Sequence, residues 1–337
     1  MPLNNKELKQ LMIVTAKADK NAPVAYSAGD KKFNYQELND TLREELRLKA
    51  GTFNLYRRNQ LDIFELIQES IDEVLPKKVL DTYGMFAEVK TFNQGDKPTF
   101  SVKRGRARAK QFITRVGLAG IYEVFKLDND YFDVTTSAFG GAAQIGLEEF
   151  LDGLIDFSEI YDIILTGLDE AVYREIARSL TTVAAQLPEA NVKSGTGFDS
   201  AKFDSLLTVA RAYGTPTIYA TLELASKIVP DTGWISDAHR DQMSAYGYLA
   251  NYKNTRVIVL PQSFEDETNA VKVIDPSFAY IIPSGGNDKP VKIAFEGQAI
   301  VDENKNHDQS REIQAYKKFG VNTLVTNNIC VYEDTTL

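Results

Sequence analysis

Lys103, Arg104, Arg106, Arg108, Lys110 and Arg115 lie within "FSVKRGRARAKQFITRVG", residues 100 to 117, with no acid among them. Cations at this density suit three chemistries: neutralising phosphates, pairing with carboxylates on another surface, or keeping an edge strand from aggregating. Phosphate recognition on a single strand wants aromatic platforms interleaved with the cations, and here only Phe100 and Phe112 flank the alternating run. The chain as a whole carries 47 acids against 38 bases, a net charge of −9. That balance argues against a general polyanion binder, so any phosphate binding must be local. The opposite charge is also concentrated. Residues 145 to 187 hold Glu148, Glu149, Asp152, Asp156, Glu159, Asp162, Asp169, Glu170 and Glu175 against only Arg174 and Arg178. A cationic segment and an anionic segment in one chain point to docking between protein surfaces.

Other reactive groups are sparse. The two histidines, His239 and His307, have no second ligand at a metal-binding spacing, and Cys330 is the sole cysteine. The single thiol allows no intrachain disulfide and points to a reducing compartment. No HExxH, CxxC, GxSxG or GxxxxGK[ST] pattern occurs, and "GTG" at 195 to 197 and "SGG" at 284 to 286 lack the strand-to-helix setting of a phosphate loop. The expectation is a non-enzymatic chain with no cofactor and no metal. A hydrolase working with a carboxylate pair leaves no motif, and would need a concave acidic pocket. No run of 18 apolar residues appears, and the N-terminus has no apolar core before a small-residue cleavage site, so a soluble protein made in the cytoplasm is expected.

The elements that carry these groups follow from periodicity. Residues 1 to 83 are polar and helix-prone; Leu61, Phe64, Ile67, Ile71 and Val74 form a stripe until Pro76 stops it. This reads as an arm whose apolar stripes rest on the main body or on another subunit. From Gly84 to Asp133 the period is two, through "MFAEVKTF", a turn at "NQGDKP", the basic run and "GIYEVFKLDNDYFDV". A long β-hairpin results, with Arg104, Arg106, Arg108 and Lys110 on one face and small residues on the other. Two such strands are marginal alone and need a surface to lie on. Between Ser158 and Leu187 a helical stripe runs until Pro188, about 45 Å at ~1.5 Å per residue. Residues 199 to 283 alternate helices and strands as one α/β domain, and "VKIAFEGQAIV" and "SREIQAYKKFGVNTLVTNNICVYE" return as strands. The fold class is α+β.

This order of elements resembles the major capsid proteins of tailed bacteriophages, of the Hong Kong ninety-seven type, a fold shared with encapsulin shells. "RAYGTPTIYATLELASKI", "RVIVLP", "AYIIPSGGNDKPVKIAFEGQ" and "REIQAYKKFGVNTLVTNNICVYE" look like consecutive segments of such proteins, and the likeness covers about residues 50 to 335. The resemblance implies an N-terminal arm (1–83), an extended loop (84–137), a peripheral domain with a long spine helix (138–195), an axial domain (196–286) and peripheral return strands (287–337). It implies hexamers and pentamers of the chain itself, an icosahedral head around double-stranded DNA held without sequence-specific binding, separate scaffolding and portal proteins, and residence in the virion. No membrane is involved. In that setting the cations of residues 103 to 115 are expected to meet a neighbour's acidic helix region. Lys103 and Lys110 are also available to a lysine–asparagine cross-link of the kind some relatives form. Two alternatives stay open: an encapsulin-type compartment holding an enzyme, and a monomeric nucleic-acid-binding protein using the Arg-rich hairpin.

Overall fold

The computed structural model describes residues 3–18, 22–24, 26–28, 31–84, 86–102, 130–145, 157–230, 236–260, 262–264, 268–283, 289–305, 311–324 and 328–337. Asn-x-x-Glu occurs twice near the start, and both copies become capping boxes. Asn4 with Glu7 opens α1 (Asn5–Lys17), and Asn34 with Glu37 opens α2 (Tyr35–Ala50); in each the Asn side chain accepts from the Glu N–H and the Glu carboxylate accepts from the Asn N–H. A small hairpin, β1 (Tyr26–Ala28) with β2 (Lys31–Phe33), lies between them. The buried faces of these helices, Leu8 and Met12, then Leu42 and Leu46, join one core with α3 (Phe53–Tyr83). The arm's stripes therefore rest on this chain's own third helix.

Helix α3 departs from its sequence reading twice. It runs through Pro76, because Val74, Leu75 and Val79 are fully buried on either side and their packing offsets the one backbone bond that proline removes. Leu61, expected on the buried stripe, is 81% exposed, since it sits about 200° round the helix from the fully buried Ile63.

Two sheets follow. The first has the order β3 (Ala87–Phe92), β12 (Val291–Lys305), β13 (Arg311–Thr323), β6 (Ser137–Ile145), with β3 parallel to β12 and the other pairs antiparallel. "MFAEVKTF", expected as a hairpin strand, supplies β3 and pairs instead with β12; the hairpin begins only at β4 (Thr99–Val102), paired with β5 (Asp130–Asp133). Helix α4 (Phe157–Ala184) lies across this sheet and against α3, with Tyr161, Leu165, Val172, Ile176 and Leu180 buried, and ends ahead of Pro188. At ~1.5 Å per residue it is about 42 Å long.

The second sheet has the order β7 (Val192–Gly195), β14 (Cys330–Asp334), β11 (Phe278–Pro283), β8 (Pro216–Thr221), β10 (Thr255–Leu260), β9 (Asn251–Tyr252). Helix α5 (Ser200–Tyr213), capped by Asp199, packs Phe203, Leu206, Leu207 and Ala210 on Ile218, Ala220, Ile281 and Tyr332. Two shorter helices, α6 (Leu222–Ala225) and α7 (Asp237–Tyr246), follow β8. "VKVID", expected as a strand, makes only the single bridge Phe264–Lys272.

The chain's last strand is latched into this sheet. Asp334, with no exposed surface, accepts from Lys227 Nζ (2.9 Å), Gly197 N (2.9 Å), Thr336 N (2.9 Å) and Thr336 Oγ1 (2.6 Å). Burial alone would raise its pKa, but these four donors outweigh it and hold the carboxyl well below the usual carboxylate range. A depressed carboxyl contributes stability above its unfolded pKa and loses it as pH falls through the folded one. Thermal melts should therefore show Asp334→Asn clearly less stable than the parent at neutral pH, with the gap closing as the pH drops below about 4.

Candidate subunit-interface surfaces

The hairpin is fastened at its base. Phe100 pairs with Phe132 across β4 and β5 and is fully buried, together with Val134 and Ala294 of β12, with Phe92 and Phe132 packed against them. The Phe92 and Phe100 rings meet edge to face at 5.8 Å. Two cations lie over Phe100, Lys90 Nζ at 4.8 Å and Lys292 Nζ at 5.8 Å from its centroid. Both pair with Glu88, whose carboxylate accepts from Lys292 at 2.6 Å and Lys90 at 2.7 Å and offsets one of the two positive charges. Burial pushes the Glu88 carboxyl up, but the two lysine hydrogen bonds win and leave it below its ordinary value. Glu296 adds a second tie. It accepts from Thr136 Oγ1 and from Gly95 N, and those bonds lower its pKa. At the outer edge Lys97 donates to Asp133 at 2.5 Å and lowers that carboxyl too.

Beyond this base, residues 103 to 129 run from β4 to β5. Lys103, Arg104, Arg106, Arg108, Lys110 and Arg115 lie outside the described residues, as do Glu148, Glu149, Asp152 and Asp156. The remaining expected interface acids share helix α4. Glu159 is exposed and Asp162 half-buried. Asp169 faces α3, where Lys78 Nζ lies 3.0 Å from its Oδ2, and Glu170 pairs with Arg174 at 3.5 Å. Sequence reasoning missed Lys78 because Pro76 was taken as the end of the helix. It also missed the Glu88–Lys90–Lys292 group: Glu88 and Lys90 stand two apart on one strand, but Lys292 lies 204 positions from Glu88. Ile163, on the outer face of α4, is 63% exposed beside Glu159 and Gly167. The outer surface of this helix thus mixes anions with an apolar side chain.

Chemistry of other kinds has little to work with among the described residues. His239 shares a hydrogen bond with Ser236 Oγ (2.8 Å), one helical turn away, while His307 lies outside the described residues. No group of three His, Cys, Asp or Glu side chains is placed to hold a metal ion, and no helix is long and apolar enough to cross a membrane, both among the described residues. An apolar void of about 10 Å³ between Tyr83, Tyr173, Leu180 and Tyr280 has room for no more than a water. An open groove of about 490 Å³ runs between α4 and the end of β13, lined by Ser179, Thr182, Gln186, Asn322 and Thr323, with the Glu175–Arg178 pair at 2.6 Å on its rim. Cys330 is fully buried and its thiol is pushed up to about 12 by burial. A disulfide reagent at about pH 8 should leave it unmodified in the folded chain and label it fully once the chain is unfolded. Labelling of the native chain would show that β14 opens.

Comparison with known proteins adds to this geometry. No curated protein sequence matches the chain. Among solved structures, the mature capsid of bacteriophage PhiM1 aligns with 7% identity and a TM-score of 0.50, covering 75% of this chain and 86% of that one. A virus-like particle from Pyrococcus furiosus aligns over 80% of this chain and 99% of its own, with 12% identity and a TM-score of 0.44. The SrpI encapsulin of Synechococcus elongatus gives 12% identity and a TM-score of 0.42 over 69% of this chain and 88% of that one. The PhiM1 alignment shows the capsid fold: two sheets, a long helix and a hairpin hung from one of them. A family model described as "SPbeta prophage-derived putative capsid protein YonB" matches residues 7–333. With nearly its whole length inside that match, the chain belongs to the YonB family of capsid proteins, and its fold is that of a tailed-phage major capsid protein.

Proposed function

We propose that the chain is the repeating subunit of a phage head, closing into hexamers and pentamers around double-stranded DNA. The observation that carries this is the hairpin fastened by Phe100 and the Glu88 pairs, within a chain matched by a capsid family over residues 7–333. A base fastened this way, with the six cations of residues 103 to 115 in the sequence between its two strands, suits a loop that contacts a surface outside its own subunit. Every copy carries both halves of such a contact, so heterologous pairing can close a ring. In this reading residues 1–83 are the arm, and the extended loop of 84–137 narrows to the stretch from β4 to β5, since β3 belongs to the four-stranded sheet. Helix α4 with the four-stranded sheet makes the peripheral domain, and the six-stranded sheet makes the axial domain. Strands β7 and β14 then sit with the axial sheet, although they lie outside 196–286 in sequence.

The loop's cations meet a neighbour's exposed Glu159 on α4 and the acids of residues 148 to 156 that precede that helix in sequence, because Asp169 and Glu170 already have partners within the chain. Exposed pairs are each worth only ~0–1 kcal/mol, so they set register while apolar burial supplies affinity. Separate scaffolding and portal proteins, and synthesis in the host cytoplasm, belong to the same reading. A net charge of −9 leaves packaged DNA free to move, since a wall that bound phosphates tightly would hold it. Nuclease protection tests the cargo. Particles made alongside the packaging proteins should hold DNA that nuclease cannot reach. A protected enzyme in place of DNA would turn the reading to a nanocompartment, and salt-sensitive DNA binding by a lone monomer would turn it to a nucleic-acid-binding protein.

A further inference from the structure

Strand β12 is longer than its partner at one place. Glu296 pairs with Lys318 and Ile300 with Tyr316, so residues 297 to 299 of β12 stand opposite the single residue Lys317 of β13. Extra residues in one strand bend and over-twist the pair. Gly297 takes the left-handed conformation there (φ 65°), and a Cβ at that position would lie 3.2 Å from Gln94.

A bulge leaves backbone groups without ladder partners, and here a partly buried ion pair supplies them. Asp72 Oδ1 accepts from Ala299 N at 2.8 Å and from Lys317 Nζ at 2.6 Å, while Lys317 Nζ also donates to the Gly297 carbonyl at 2.5 Å. Lys317 is 1% exposed, so its charge depends on these partners. Asp72 belongs to α3 and stands four residues before Pro76, which has no N–H to give the Asp72 carbonyl. The helix lacks a backbone bond at the level where the strand pair is bulged. Two elements therefore have their weak points side by side, joined by one ion pair.

The two sides of the bulge carry different loads. On the near side Ala294 packs under Phe100 at the loop base. On the far side Glu303 accepts from Tyr56 Oη and Gln60 Nε2, each at 2.5 Å, at the start of α3. We propose that the Asp72–Lys317 pair is a clamp on a hinge, fixing the angle between the loop base and the far half of the β12–β13 pair and so setting the curvature of the shell. The curvature step rests on the shell-forming reading above. In a shell of one subunit type that angle repeats at every contact, so its value decides the radius at which the surface closes.

The test is the double variant Asp72→Leu/Lys317→Met, which removes both charges at similar volume and leaves neither unpaired. It should fold and assemble into shells of altered or mixed diameter in electron micrographs; a single diameter equal to the parent's would overturn the proposal. Should the double variant not fold, Gly297→Ala carries the same test, since it strains the bulge and leaves both charges in place. If the parent itself forms no shells, the shell-forming reading has failed, and hydrogen exchange then reads the clamp alone. Amides of 300–305 and 311–316 should exchange about tenfold faster in the folded variant than in the parent. Equal exchange would overturn the clamp.

Discussion

Replacing Phe100 by alanine should cost the hairpin base about 3–5 kcal/mol, the usual loss for a fully buried phenyl ring whose site cannot collapse. The site is poor at collapsing because its neighbours are held from several directions: Phe92 by β3, Ala294 by β12, and the lysines by Glu88. Loss of the ring also removes the π face under Lys90 and Lys292, so two cations lose an attractive surface in the same step. Damage should be local. The six-stranded sheet has its own core around Phe203 and Tyr252, so hydrogen exchange should quicken across β4 and β5 and leave β8 and β11 protected. Protease should cut between residues 103 and 129 faster than in the parent, and assembly should fail although the chain stays folded. Phe100→Leu keeps most of the apolar volume and should lose less of each. Unchanged exchange at β4 and β5 in Phe100→Ala would show that the ring is not what fastens the loop.

Reversing Arg106 and Arg108 to glutamate should abolish shell formation at concentrations where the parent assembles. Each reversal removes an attraction worth up to ~1 kcal/mol and substitutes a repulsion of similar size, so a contact loses about 2–4 kcal/mol for the pair of changes. At 1.4 kcal/mol per decade that is more than tenfold per contact, and the loss repeats around every ring. Folding should be unaffected, because the fastening of the base at Phe100 lies outside the reversed segment. Reversal of acids on α4 should then restore part of the assembly, and the choice of acid matters. Glu159, exposed at the start of α4, is the acid to reverse, together with Asp152 and Asp156 just before it in sequence; Asp169→Lys would instead place a cation beside Lys78 and damage the parent fold. Absence of rescue by these three reversals would remove α4 and the acids before it as the loop's partner, and rescue would fix the register of the two surfaces. High salt should weaken parent assembly in the same direction, since the pairs are exposed.

Where the sequence was legible, one strong local signal decided the element. The stripe from Ile160 to Leu187 with Pro188 beyond it marks α4, and the helix found is Phe157–Ala184. The alternation around Phe100 and Phe132 marks strands that do pair. Where it misled, a non-local partner decided. "MFAEVKTF" alternates as well as any hairpin strand, yet β12, about 200 residues away in sequence, takes it as a parallel neighbour. Pro76 is a valid stop signal that buried neighbours on both sides overrule. The interface acids show the same limit. Composition marks residues 145 to 187 as anionic, but only the packing of α3 against α4 reveals that Asp169 is already engaged by Lys78. The Asp72–Lys317 clamp has no sequence signal, since its partners are an acid and a base 245 positions apart.

The central claim is that this chain builds closed shells. Cryo-electron microscopy of the purified chain, expressed alone and together with its neighbouring genes, tests it most directly. The account predicts closed particles or hexameric rings with the loop of each subunit lying across the outer face of a neighbour's α4. A monodisperse monomer under both conditions would contradict it.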